Sequence, residues 1–311
     1  MITAGAPAPI PLQEKFRNLF NDKTDLFGIY GATEALPIAK IESRELFELK
    51  EKTANGAGIC LGKPVTGAQV RVIQITDSVI AQWQSQLEVP PNVVGEITVK
   101  GAAVTGSYVA REEATQLAKI KDGEDIIHRM GDVGYFDEQG RLWYCGRKSH
   151  RVIIEDGVLF TEQIEGIFNA HPLVYRTALV GVQGKPVLWV ETVKLSGKES
   201  SPQSHKDSRT QRKKTLWLRG SPALHQQQRG ASVETLWSSL QTPSKTQDKI
   251  KGDLIELAKK HPQASKIKDF LFMKQFPTDV RHNSKIVREQ LAKLASHVLL
   301  SSFLFLLLSQ S

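Results

Sequence analysis

The sequence holds only two cysteines, Cys60 and Cys145, far apart and with no second pair. A disulfide framework and a cysteine-built zinc site are therefore excluded, and a reducing, cytoplasmic setting is expected. Also lacking is any run of the roughly 20 apolar residues that a membrane-spanning helix requires. The apolar stretch "VLLSSFLFLLLSQS", residues 298–311, is shorter and is expected to form an irregular tail, so no transmembrane segment is expected. "MITAGAPAPIPL" at the start has no basic region followed by an apolar run, and no secretory signal is expected in it.

Excess positive charge is scarce outside one window. The net charge is +8, yet residues 196–251 alone contain eleven Lys or Arg against four Asp or Glu. A nucleic-acid groove would spread its cations over folded segments, whereas this window shows almost no apolar periodicity. No nucleic-acid partner is expected. From Ser196 to Gln247 the chain is rich in Ser, Gln, Lys and Arg. Such a segment cannot bury enough apolar surface to offset the entropy of ordering, so residues 196–247 are expected to be a disordered insertion.

With 40% hydrophobic residues, the rest of the 311-residue chain can build real cores, and its length suits about two domains. Residues 1–147 favour strands: "QVRVIQI" and "GEITVKG" carry β-branched residues beside glycines, and "GRLWYCGR" leaves a turn at Glu138-Gln139-Gly140. After Arg147 the pattern changes. Ile164, Ile167, Phe168 and His171 share a helical face, and "TALVGV" and "VLWVETV" flank "QGKP" as a hairpin would. Beyond the insertion, Ile250, Leu254, Leu257 and Ala258 predict a helix and "DFLFMK" a strand. Ile286, Val287, Leu291, Leu294 and Ala295 predict a last helix with Lys285 at its start.

Three short strings could carry chemistry. "YGATE" offers a ring able to stack on a purine (Tyr30), bare backbone (Gly31), a hydroxyl for phosphate (Thr33) and a carboxylate for Mg²⁺ (Glu34). The plainer alternative is a strand-ending turn with a core Tyr30 and a helix-capping Thr33–Glu34 pair. "RMGDVGYFDEQGRLWYCGRK" offers Asp132, able to accept from both hydroxyls of a ribose, and Arg147, able to reach ribose or phosphate. A turn-forming Asp and a surface Arg would look the same. "FPTDVRHNSKIVREQL" offers Lys285, which could bridge a carboxylate and an α-phosphate or simply be solvated.

In their order, "AGAP", "YGATE", "GEITVKG", Gly131-Asp132, Gly146-Arg147 and Lys285 resemble the adenylate-forming superfamily of acyl-CoA synthetases, luciferases and peptide-synthetase adenylation domains. "YGATEALPIA", "GRKSHRV", "IFNAHPLVYRTALVGV" and "FPTDVRHNSKIVREQLA" look most like the β-lactone synthetases of bacterial olefin biosynthesis. The resemblance implies a mixed α/β and α+β fold. Residues 1–147 would be the C-terminal part of the large, β-rich AMP-binding domain, and 148–297 a small α+β lid domain interrupted by the insertion. It further implies ATP and Mg²⁺ as cofactors. Gly5 and Ala6 would back the adenine, Tyr30 would stack on it with Gly31 beside it, and Thr33 would touch the α-phosphate. Glu34 would hold the metal, Asp132 and Arg147 the ribose, Ser149 would be the hinge, and Lys285 the lysine that enters the site during adenylation.

The implied reaction is activation of a long-chain, 3-hydroxy fatty acid as acyl-adenylate, followed by β-lactone closure with release of AMP and pyrophosphate. Two departures from the family qualify this. Its Ser/Thr/Gly-rich phosphate loop ending in Lys is not found; "TANGAGICLGKP" lies in a structural position, so Lys63 is not expected to bind phosphate. A separate N-terminal half is therefore an expected partner, and an inactive or split-gene fragment is the alternative of another class. In CoA ligases, glycines stand where this chain has Asp156 and Ser284, which disfavours the other alternative, a fatty-acyl-CoA or acyl-AMP ligase.

Overall fold

The computed structural model describes residues 1–5, 10–20, 24–193, 244–279 and 282–308. Ala6 and most of the expected insertion lie outside the described residues.

The strand-favouring first half builds one large sheet. β1 (Ile2–Thr3) runs parallel to β2 (Phe27–Ala32), with α1 (Ile10–Arg17) between them in sequence. β2 turns through Thr33 and Glu34 into β3 (Ala35–Glu42), and α2 (Ser43–Glu48) and α3 (Lys50–Ala54) lead to β4 (Ile59–Pro64). Then come β5 (Gln69–Ile73), β6 (Gly95–Lys100), α4 (Glu112–Ala118), β7 (Lys119–Asp122), the long β8 (Asp125–Phe136) and β9 (Leu142–Arg147). The strand order is β1-β2-β3-β4-β9-β8-β6-β5, with β7 paired to β8. Ile38, Ile97, Met130 and Leu142 fill one face, and Trp143 stacks on Tyr135 across the β8–β9 pair at 6.2 Å. Deep between β6 and β8, Glu96 accepts from Arg129 at 2.6 Å and pairs with Lys148 at 3.1 Å.

Past β9, a turn at Lys148–His150 leads into the β10 (Val152–Ile154) and β11 (Gly157–Leu159) hairpin and then α5 (Thr161–Asn169). β12 (Val174–Val182) and β13 (Lys185–Thr192) pair antiparallel, as the two apolar runs predict. Residues 194–243 connect β13 to α6 (Lys245–Lys259), which precedes β14 (Asp269–Phe272), a parallel neighbour of β13. Last come β15 (Thr278–Asp279), β16 (His282–Ile286) and α7 (Arg288–Leu308).

The three-stranded sheet is covered on both faces, which explains why its strands read as unbroken apolar runs. Leu179, Leu188 and Val190 face α5 and α6; Ala178, Val180 and Trp189 face α7.

Four details differ from expectation. Helix α5 stops at Asn169, so His171 lies beyond it. Helix α6 starts at Lys245, inside the expected insertion, because Ser244 and Gln247 form a reciprocal capping box. Lys285 and Ile286 belong to strand β16, and α7 begins only at Arg288. The expected irregular tail is helical as far as Leu308, since its leucines favour helix and Leu299 joins the core beside Leu291 and Leu294. Among the described residues, no helix is long and apolar enough to cross a membrane. Ile2, Leu12, Phe16, Leu19 and Leu36 are exposed in the first half.

Candidate functional site

The "YGATE" string is the tip of the β2–β3 hairpin. Ala32 pairs with Ala35, so Thr33 and Glu34 form a two-residue turn and cap no helix. Register shifts at Gly31. A Cβ there would lie 2.7 Å from the Ala35 carbonyl and 2.6 Å from a Leu36 methyl, so the bare backbone is needed for the chain's own hairpin.

Tyr30, half-buried on β2, reaches β8. Its hydroxyl donates to Asp132 Oδ2 at 2.6 Å. Asp132 follows Gly131, whose φ of +66° bends β8, and pairs directly across the ladder with Arg147 at the end of β9. The Arg147 guanidinium is 3.1 Å from Asp132 Oδ1 and half exposed. The approach is an ion pair without hydrogen-bond geometry, for Oδ1 is buried and has no hydrogen-bond partner. Burial pushes the Asp132 carboxyl up, while Arg147, the Tyr30 hydroxyl and the Lys285 ammonium pull it back. Burial and the Asp132 carboxylate also raise the Tyr30 phenol well above its usual value, so it remains a donor. Tyr144 of β9 lies beside Tyr30, ring centres 6.3 Å apart, and extends the aromatic wall.

Glu34 forms a second focus. Its Oε1 accepts from the Tyr108 hydroxyl at 2.8 Å. Burial would raise its carboxyl, but the Tyr108 bond, a backbone hydrogen bond and the Lys119 charge hold it below the usual range. Lys119, buried, donates to the Thr105 carbonyl at 2.5 Å. His128 is driven down to about 4 by burial and by the Lys119 charge, so it is neutral at pH 7. Thr33 is exposed at the hairpin tip.

The remaining expected residues are dispersed around these. Gly5, with φ +99° and open space about it, follows β1; continuing the Thr3–Gly28 register sets it level with Tyr30. Ser149 is exposed in the turn between Arg147 and Arg151. Lys285 is exposed on β16, and its charge acts on Asp132. Lys63 sits in β4 opposite Lys40. Tyr144, Tyr108, Lys119 and His128 were not singled out from sequence. Only Tyr144, in "LWYCGR" three residues before Arg147 on the same strand, carried a signal that could have been used.

Two observations test whether ATP and Mg²⁺ suit these side chains. The unpartnered, buried Oδ1 of Asp132 matches the donors of a ribose diol. Around Glu34 there is no cluster of three or more His, Cys, Asp or Glu among the described residues. A metal would thus take one protein carboxylate and complete its shell with phosphate and water oxygens, which is the habit of Mg²⁺.

Residues 1–109 match the family model described as AMP-binding enzyme. The olefin beta-lactone synthetase of Xanthomonas campestris pv. campestris is 40% identical over 93% of this chain, and that of Stenotrophomonas maltophilia 39% identical over 94%. The chain spans about half the length of these relatives, 46% of each. The O-succinylbenzoate coenzyme A synthetase of Bacillus subtilis, in complex with ATP and magnesium ion, superimposes with a TM-score of 0.57 at 20% identity, over 93% of this chain and 45% of that one, and so shares the fold. In sequence and in fold, the chain belongs to the AMP-binding, adenylate-forming superfamily and matches the C-terminal part of its members.

Proposed function

We propose that this chain supplies the nucleotide half of an ATP- and Mg²⁺-dependent ligase that activates a long-chain 3-hydroxy fatty acid and closes it to a β-lactone. The observation that carries the nucleotide role is the buried Oδ1 of Asp132, without a hydrogen-bond partner and flanked by Tyr30, Arg147 and the field of Lys285.

Residues 1–147 act as the C-terminal part of the AMP-binding domain, and 148–297 as the lid turning about Ser149. Asp132 accepts the ribose hydroxyls, which favours its charged form. Tyr30 and Tyr144 present ring faces to the adenine, with Gly5 and Ala6 behind it and Gly31 shaping the turn. Thr33 donates to the α-phosphate. Glu34 holds the magnesium, which supplies charge neutralisation on the phosphates when bound. As the substrate carboxylate attacks the α-phosphorus and pyrophosphate leaves, Lys285 and Arg147 stabilise the added charge electrostatically. The 3-hydroxyl then attacks the acyl carbon, expels AMP and closes the four-membered ring, aided by the high effective concentration of a tethered nucleophile.

Asp156 favours this outcome over thioester synthesis. Where CoA ligases have glycine, it carries a carboxylate that pairs with Lys266 at 2.7 Å; a side chain there is bulkier than the glycine that lets backbone pass close to a pantetheine arm. A separate N-terminal half would bring the phosphate loop and most of the acyl pocket. Measuring ATP–pyrophosphate exchange with the chain alone and with such a half, and analysing products with and without CoA, tests the proposal. Exchange that needs the second half, with lactone formed irrespective of CoA, is expected; CoA-dependent thioester would overturn the lactone assignment, and no exchange under either condition the ligase assignment.

A further inference from the structure

Lys285 is exposed on β16, whereas its neighbour Ile286 packs into the core under α7. Strand alternation sets the two side chains on opposite faces, so the seating of the β15–β16 hairpin decides where the ammonium goes. Such a two-stranded ribbon is marginal by itself in water. Val287 N–H closes its base by donating to the Pro277 carbonyl at 2.9 Å.

Two buried carboxylates grip the two chain segments at its base. Before β15, the Phe276 amide donates to Glu191 Oε2 at 3.0 Å; Glu191 also pairs with Arg176 at 2.8 Å, whose guanidinium lies 5.2 Å from the Phe276 ring centre. After β16, Arg288 donates through both terminal nitrogens to Glu165, at 2.6 and 3.0 Å, and Glu165 Oε1 accepts the Leu179 amide at 2.7 Å. Buried ion pairs are poor sources of stability, because desolvation offsets their attraction; bidentate ones define direction well.

We infer that Glu165 and Glu191 are positioning residues for Lys285: each clamps one of the two strands where they meet at the base of the β15–β16 hairpin, and together they aim the ammonium at the nucleotide site. The inference rests on the nucleotide role proposed above.

Binding of AMP and of adenosine to the full chain tests it, because the ratio of the two affinities isolates contacts to phosphate. The wild type prefers AMP, and Lys285→Ala reduces that preference about tenfold or more. Glu165→Gln and Glu191→Gln reduce it comparably while adenosine affinity stays within about twofold, and adding Glu165→Gln to Lys285→Ala costs nothing further. A loss of adenosine affinity equal to that of AMP would mean a merely structural role and would overturn the clamp. An AMP preference that survives in both Gln variants also overturns it, and leaves the nucleotide role standing. Failure of the wild type to bind either ligand overturns the nucleotide role itself. Should Glu165→Gln not fold, Arg288→Lys keeps the charge but loses the two-pronged grip. Hydrogen exchange at the Val287 amide then rises about tenfold or more relative to wild type, and unchanged exchange refutes the clamp.

Discussion

The phenol of Tyr30 and the carboxylate of Asp132, 102 residues apart in sequence, meet at 2.6 Å. The bond helps keep a buried carboxyl charged against the cost of its burial. Tyr30→Phe is expected to destabilise the fold by about 1 to 3 kcal/mol in denaturant titrations, the usual effect of removing a hydrogen bond to a charged group. It should also move the Asp132 carboxyl, followed by carbon NMR, to higher pH.

Arg147 stands on the other side of the same carboxylate. Arg147→Gln should raise the Asp132 titration further and weaken AMP binding about tenfold or more, measured by calorimetry at pH 7. The weakening should grow as pH falls, since the carboxyl then protonates in the range where the wild type still holds it charged.

Glu96 is 1% exposed and serves Arg129 and Lys148 together. Glu96→Ala removes the buried carboxylate that two cations share, leaving them to backbone carbonyls such as that of Thr76, and should cost about 3 to 5 kcal/mol of stability. Asp25→Ala, which breaks the surface pair with Arg44, should cost less than about 1 kcal/mol in the same denaturant series.

His128 predicts an acid limb in the stability curve. The unfolded imidazole takes up a proton near pH 6.5 and the folded one only at about 4. Between those values unfolding binds a proton, so stability falls as pH drops, by about 3 kcal/mol across the window, and levels off for this group below it. His128→Gln should flatten that limb in melts taken from pH 7 to pH 4.

Most strands were legible because their cause is local. "GEITVKG" and "TALVGV" combine β-branched residues with glycine punctuation, and both are strands. Tyr30, Asp132 and Arg147 were singled out as chemistry-bearing types, and the sheet brings them together. Other features were set by partners distant in sequence. Tyr108 stands in "GSYVA", a string with no marker, and gains significance only because Glu34 lies 2.8 Å from its hydroxyl. Lys285 fell within a helical apolar period, yet pairing of β16 with β15 makes it a strand residue. The apolar tail lacked an amphipathic period because its leucines are nearly continuous, and periodicity cannot mark a helix without polar positions.

The parallel pairing of β13 with β14 bears on how this fold accommodates sequence growth. Parallel neighbours cannot be joined by a tight turn and must already be bridged by a long excursion, here the one that contains α6. Closing a chain loop costs entropy only with the logarithm of its length, so enlarging such a bridge from about 10 to about 50 residues adds roughly 1 to 2 kcal/mol. Lengthening a two-residue hairpin such as β2–β3 by the same amount would disturb Thr33 and Glu34 directly. Evolutionary tinkering is thus cheap at this crossing, and trimming residues 194–243 to a short linker should leave the melting of the three-stranded layer unchanged or slightly improved.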